Sequence, residues 1–189
     1  DGLRVAIINL PLREGARPNT PPQGPGLLAA RLRQYGAEVS LIDLNGYRIE
    51  DEESRKRGLP YGRHLSEVEA TGLIARYFDR DGEPAIIALS GMITTLRWQT
   101  AVARICRRLV PKVFLVSGGG LATEIGETLF SWIPQLNAIA LGEGDEVILD
   151  IAQKVKKVRE SGASDWEDFL GRPAIYQGTR PEQLDDLPF

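Results

Sequence analysis

The sequence predicts a doubly wound α/β fold on a mainly parallel five-stranded sheet, with a short C-terminal extension. Short apolar runs recur at RVAIIN (4–9), EVSLID (38–43), AIIALS (85–90), KVFLVS (112–117) and AIAL (138–141). Longer segments with helical spacing lie between them, and strand–helix–strand alternation implies parallel pairing through right-handed crossovers. The run at 113–116 is apolar throughout, as expected of a strand buried on both faces.

Bulk properties narrow the function. With 189 residues the chain can bury one proper core. Its 23 basic and 26 acidic residues supply no concentrated positive face, which argues against nucleic acid as a partner. Arg104, Arg107 and Arg108 read as the solvated side of a helix. A single cysteine, Cys106 in an apolar-periodic segment, excludes a disulfide framework and favours a cytoplasmic location. No apolar run approaches the roughly 20 residues of a membrane span, so no membrane partner is expected. The chain begins at Asp1 without a signal peptide and reads as a piece of a longer polypeptide.

The elements follow in order. After the first strand, residues 10–26 hold Pro11, Pro18, Pro21, Pro22 and Pro25, which makes a long, stiff loop at a strand's carboxyl end. A helix over about 26–35 ends at Gly36. The charged stretch 45–64 reads as a solvated excursion in which His64 is a solvated loop histidine. SEVE (66–69) is a capping box opening a helix with the stripe Val68, Leu73, Ile74 and Phe78. A helix at 96–109 stops before Pro111, and the last long helix spans about 144–159. Beyond it AIYQG reads as a possible short extra strand. Residues 1–160 are therefore expected to form the domain and 161–189 an extension and linker.

Four loops share the carboxyl rim of this sheet: NLPLREG, SGMITT (90–95), SGGG (117–120) and LGEGDE (141–146). Three of them consist largely of small residues, as a groove for a ligand running along the backbone would require. A dinucleotide site needs GxGxxG and an acid about 20 residues later. Here GGGLAT puts Thr123 where the third small residue belongs, with Glu143 as the candidate acid. No Gly-Lys pair followed by Ser or Thr provides a P-loop. Asn9 and Ser90 stand where a phosphorelay receiver carries acids. A nucleotide, a flavin, or a protein-interaction role without cofactor all stay open.

The pairing of SGM with SGGG resembles the cobalamin-binding Rossmann-like domain family. More narrowly, PPQGPGLLAARLRQYGAEVSLIDLN (21–45), SGMITT, VSGGGLAT, LGEGDE and LDDLPF (184–189) together resemble the amino-terminal domain of cobalamin-dependent radical S-adenosylmethionine enzymes. The likeness covers residues 4–160 plus the linker, and it lies in the set of motifs, not in any one of them. It implies a cofactor module of a methyltransferase, with cobalamin as its ligand and a radical S-adenosylmethionine domain following in the same polypeptide. That domain would hold the iron–sulfur cluster and S-adenosylmethionine. This chain, with one cysteine, lacks the Cys-x3-Cys-x2-Cys set such a cluster uses.

The same resemblance assigns residues. Ser90 would meet the nucleotide tail of cobalamin, or else cap the next helix; Gly118, Gly119 and Gly120 would clear space for the tail. Gly142, Glu143 and Gly144 would line the groove edge, with Glu143 alternatively a first-turn acid of the last helix. Gly91, Met92 and Thr94 complete the third-strand loop; Met92 would touch the corrin or pack in the core. Asn9, Leu10 and Pro11 begin the loop placed under the corrin plane. That loop lacks the Asp-x-His-x-x-Gly of cobalamin mutases, so base-off binding without a histidine ligand is expected, and Gly119→Val is expected to close the cleft.

Overall fold

A computed structural model describes residues 2–18 and 21–179. The strands are β1 (Arg4–Asn9), β2 (Glu38–Asp43), β3 (Ile86–Ser90), β4 (Phe114–Gly118), β5 (Ala138–Leu141) and β6 (Ala174–Gln177). They form one sheet in the order β2-β1-β3-β4-β5-β6, parallel at every pairing. The fold is thus doubly wound α/β as expected, with six strands in place of five. The sixth is the possible extra strand at AIYQG, an edge strand in which only Tyr176 is buried.

The helices are α1 (Gln23–Gln34), α2 (Glu52–Lys56), α3 (Glu67–Asp81), α4 (Leu96–Leu109), α5 (Gly120–Ile125), α6 (Thr128–Trp132), α7 (Asp145–Ser161) and α8 (Ala163–Leu170). One face of the sheet is covered by α1, α7 and α8, which bury Ala29, Leu32, Ile148, Ile151, Val155 and Trp166 against Ile7, Ile86, Phe114 and Val116. The other face packs α3, α4, α5 and α6 on Ile8, Ile87, Leu89, Leu115 and Ile139. Strand order reverses between β1 and β3, so a crevice opens at their carboxyl ends.

Local signals act as read at several places. Ser66 Oγ accepts from Glu69 N, and Glu69 Oε2 accepts from Ser66 N, closing the capping box of α3. Val68, by contrast, is 82% exposed, because the buried stripe runs through Ala70, Leu73 and Ile74 on the opposite side of the helix. Cys106 is fully buried on α4, and burial pushes its thiol up to about 12.

Two segments expected in water are built into the structure. Arg107 donates to the carbonyls of Pro111, Val113 and Gln135 and to Asn137 Oδ1, all within 2.9 Å. It is therefore a bracket between the end of α4 and the starts of β4 and β5, unlike exposed Arg104 and Arg108. In the stretch 45–64, Asp51 caps α2, and Ile49 exchanges two 2.9 Å backbone hydrogen bonds with Arg63. Arg63 also binds Asp51 and Glu69, so this charged excursion is pinned to α3 by its own charges.

One amide ties residues 161–177 to the fold beside the β5–β6 pairing. Asn137 Oδ1 accepts from Leu115 N, and Asn137 Nδ2 donates to the Leu170 carbonyl at the end of α8, each at 2.8 Å. Its own carbonyl accepts from Ala174 N at the start of β6. Phe169 stacks on Phe114 with ring centroids 5.1 Å apart. The tail LDDLPF lies outside the described residues. Asn137→Ala would strand the Leu115 N–H and the Leu170 carbonyl in the interior. We expect it to lower unfolding free energy by about 3 kcal/mol, read by urea denaturation.

Candidate functional site: an apolar slot at the sheet rim

Residue size on the α1/α7 face decreases toward the carboxyl rim. Pairing sets Ile86 beside Phe114, then Ile7, Ala88, Val116 and Ala138 in one row, then Ser90 beside Gly118. The last row is completed by Ala140, whose Cβ would lie 3.7 Å from a Cβ built on Gly118. On the opposite face the side chains stay large at the same level, with Leu89 and Ile139 flanking Ser117. The helices above do not sink into the gap. A slot of about 210 Å³ remains between the sheet and the start of α1 and α7, walled by Leu27, Leu28, Val147, Ile148 and Ile151.

The triple glycine resolves into three separate duties. Gly118 lines the slot. Gly119 has φ +85°, and a Cβ there would come within 2.8 Å of the Gly91 carbonyl, so it lets the loops after β3 and β4 cross. Those loops are knit by Gly91 N to the Gly118 carbonyl and Leu121 N to the Gly91 carbonyl. Gly120 starts α5 beside open space.

Ser90, Gly118, Gly119, Gly142, Glu143 and Gly144 line the slot. Other residues named from the sequence lie elsewhere. Asn9 donates to Asp43 Oδ1, while Leu10 is buried in the core of the opposite face. Pro11 is also buried, and Gly91 is wedged against Thr95 and Leu10. Met92 and Thr94 are exposed on the rim, so the core alternative for Met92 does not hold. Ser90 does not cap a helix, since α4 opens from a 3-10 turn at Ile93–Thr95 with Met92 before it. Glu143 precedes α7, whose first-turn acids are Asp145 and Glu146.

Sequence reasoning missed Leu27, Leu28, Ala88, Ala140, Asp145, Ile148 and the rest of the apolar wall. The apolar ones read as ordinary core, and Asp145 reads as a first-turn acid of the last helix. The available signal was the coincidence of Ala88, Gly118 and Ala140 on one face, which becomes visible only with the strand register. Thr123, out of place for a dinucleotide turn, accepts from Gly142 N at 3.1 Å and braces the slot-edge loop.

His64 is on the α4 side, away from the slot, and is 9% exposed, a correction to the solvated reading. Its ring stands edge-on to Trp98 with centroids 6.2 Å apart, and its backbone N–H donates to Glu14 Oε1. Among the described residues no cluster of His, Cys, Asp and Glu could hold a metal ion. Among them, too, no helix is long and apolar enough to cross a membrane.

No known protein-family profile and no curated protein sequence matches this chain. Among solved structures, an azoreductase from Bacillus anthracis str. Sterne aligns at 13% identity with a TM-score of 0.37, over 89% of this chain and 97% of that one. The fold assignment rests on the strand order and crossovers themselves.

Burial, reinforced by the charge of Arg48, pulls His64 from 6.5 down to about 4, against the opposing charge of Glu14. Between those values the unfolded chain binds the extra proton, so stability falls as pH drops from about 6.5 toward 4. His64→Gln should remove this slope, as followed by melting temperature against pH. The residual fall below about 4.5 would belong to carboxylates such as Glu69, held at about 2 by Arg63.

Proposed function

We propose that the chain is a cobalamin-binding module that takes the cofactor base-off, with its nucleotide tail in the slot and its corrin over the rim. The observation that carries this reading is Gly118. Its φ lies outside the left-handed region, and a Cβ there would make only an ordinary 3.7 Å contact with Ala140. The fold therefore has no need of glycine at this point, yet a side chain would fill the slot. Gly24, in the first turn of α1 and also on the slot wall, meets nothing within 4 Å. Glycine in a helix or strand costs roughly 0.5–1 kcal/mol relative to alanine, so empty space here has value only if something occupies it.

The slot's dimensions favour part of a ligand. About 210 Å³ is below the roughly 300–1,000 Å³ of pockets that enclose a whole drug-sized molecule. A flat bicyclic base fits such a space, and its larger remainder would rest outside. The rim exposes Leu12, Met92 and Ile93, apolar side chains suited to the underside of a macrocycle. Ser90 and Glu143 offer hydroxyl and carboxylate partners for the ribose and amide groups of the tail. The chain's one histidine, His64, lies on the far face, which suits binding without a histidine ligand.

Cobalamin supplies an organometallic centre that carries a one-carbon group, and the chain's contribution is to bury the tail, orient the ring and exclude water beneath it. By the resemblance of its motifs, the iron–sulfur cluster and S-adenosylmethionine would belong to a following domain of the same polypeptide.

The test is an absorption titration with hydroxocobalamin followed by desalting, with flavin mononucleotide and a nicotinamide dinucleotide run in parallel. Wild type should retain corrin with a shifted spectrum. Gly118→Val should lose most of it at a nearly unchanged melting temperature. Gly119→Val is unsuitable, because its Cβ would strike the Gly91 carbonyl and disturb the fold itself. Release of all corrin by wild type, or undiminished retention by Gly118→Val, would overturn the reading; retained flavin in place of corrin would transfer the slot to that cofactor.

A further inference from the structure

The slot-edge loop Gly142–Gly144 is held by a residue that does not line the slot. As the chain leaves β6, Gly178 N donates to the Leu141 carbonyl at 2.8 Å, continuing the ladder one step past the strand. There the two backbones cross almost in contact. A Cβ built on Gly178 would fall 1.7 Å from the Glu143 carbonyl oxygen and 2.7 Å from its carbon. Reciprocally, a Cβ on Gly142 would fall 2.7 Å from the Gly178 carbonyl, and Gly142 has φ +73°. From the other side Thr123 Oγ1 accepts from Gly142 N. The loop is thus fixed between α5 and the segment leaving β6.

We infer that Gly178 is a positioning residue for the slot: by admitting this crossing it sets where Gly142, Glu143 and Gly144 stand, and so fixes one wall. The inference deepens the ligand reading above and rests on it only for its binding effect. Gly178 itself has no positive φ, so alanine there brings no backbone strain of its own. The penalty falls on the Glu143 backbone, its carbonyl above all, and backbone atoms cannot rotate away. Relief requires the 142–144 loop to shift, which moves the slot wall while β3 and β4 stay where they are.

The test compares wild type, Gly178→Ala and a control, Gly171→Ala, whose Cβ would make only 3.5 Å contacts on the same extension. Amide hydrogen exchange of the ligand-free proteins is measured along the chain, followed by hydroxocobalamin titration. In Gly178→Ala, exchange at Gly142 and Ile148, whose N–H groups donate to Thr123 Oγ1 and the Gly144 carbonyl, should rise by about tenfold while 86–90 and 114–118 stay protected, and corrin should bind about tenfold more weakly. The control should match wild type. Unchanged exchange at Gly142 and Ile148, or a uniform rise throughout the sheet, would overturn the inference. Loss of corrin binding in wild type would sink the cofactor reading alone, since exchange is read without ligand. Should Gly178→Ala fail to fold, wild-type exchange still decides. Coupled opening of the Gly178 and Gly142 amides supports the latch, and independent opening removes it.

Discussion

A parallel sheet has to be covered on both faces, and in this chain the two coverings are unequal. On the α3/α4 face large aliphatic side chains continue to the carboxyl rim, and the helices pack down on them. On the α1/α7 face the residues shrink from Ile86 and Phe114 to Ser90, Gly118 and Ala140, but the helices remain at the height set by the larger rows beneath their far ends. A helix is too stiff to follow a slope of that kind. The slot is therefore a product of rigid elements over graded side chains, and it does not depend on a mobile lid.

The C-terminal extension is part of the same arrangement. Asn137 joins β4, α8 and β6 through its side chain and main chain, while Phe169 stacks on Phe114 at the wide end of the gradient and Trp166 stacks on Phe169. The sheet thus gains a sixth strand beside β5, whose following loop edges the slot. An edge strand with one neighbour and a single fully buried residue adds little hydrophobic stabilisation of its own. Its importance is geometric.

The central strands β1, β3 and β4 were legible because burial on both faces leaves an apolar run, and the helix ends because capping chemistry is local: Ser66 with Glu69, Gly36, Pro111. The charged stretch 45–64 is solvated over most of its length, as its charge predicts, and the exception at His64 has a definite reason. Charge usually marks solvent, but Arg63 satisfies three acceptor groups at once and draws His64 inward. Arg107 shows the same failure, since its partners are carbonyls that carry no sequence signal. Of the slot, the glycine loops could be read, whereas its apolar wall could not. Leu27, Leu28, Val147, Ile148 and Ile151 have the spacing of any core-facing helix, and only the register of Ala88, Gly118 and Ala140 shows that nothing fills the space before them.

The burial of Cys106 has a chemical corollary. A thiol held near 12 is essentially free of thiolate at neutral pH, and no solvent reaches its sulfur. It is also the chain's one cysteine. The native fold is therefore mute toward alkylating reagents, disulfide exchange and peroxide. Within residues 1–189, a Cys106 thiol that reacts therefore marks an unfolded population, so its labelling reports unfolding of this domain directly.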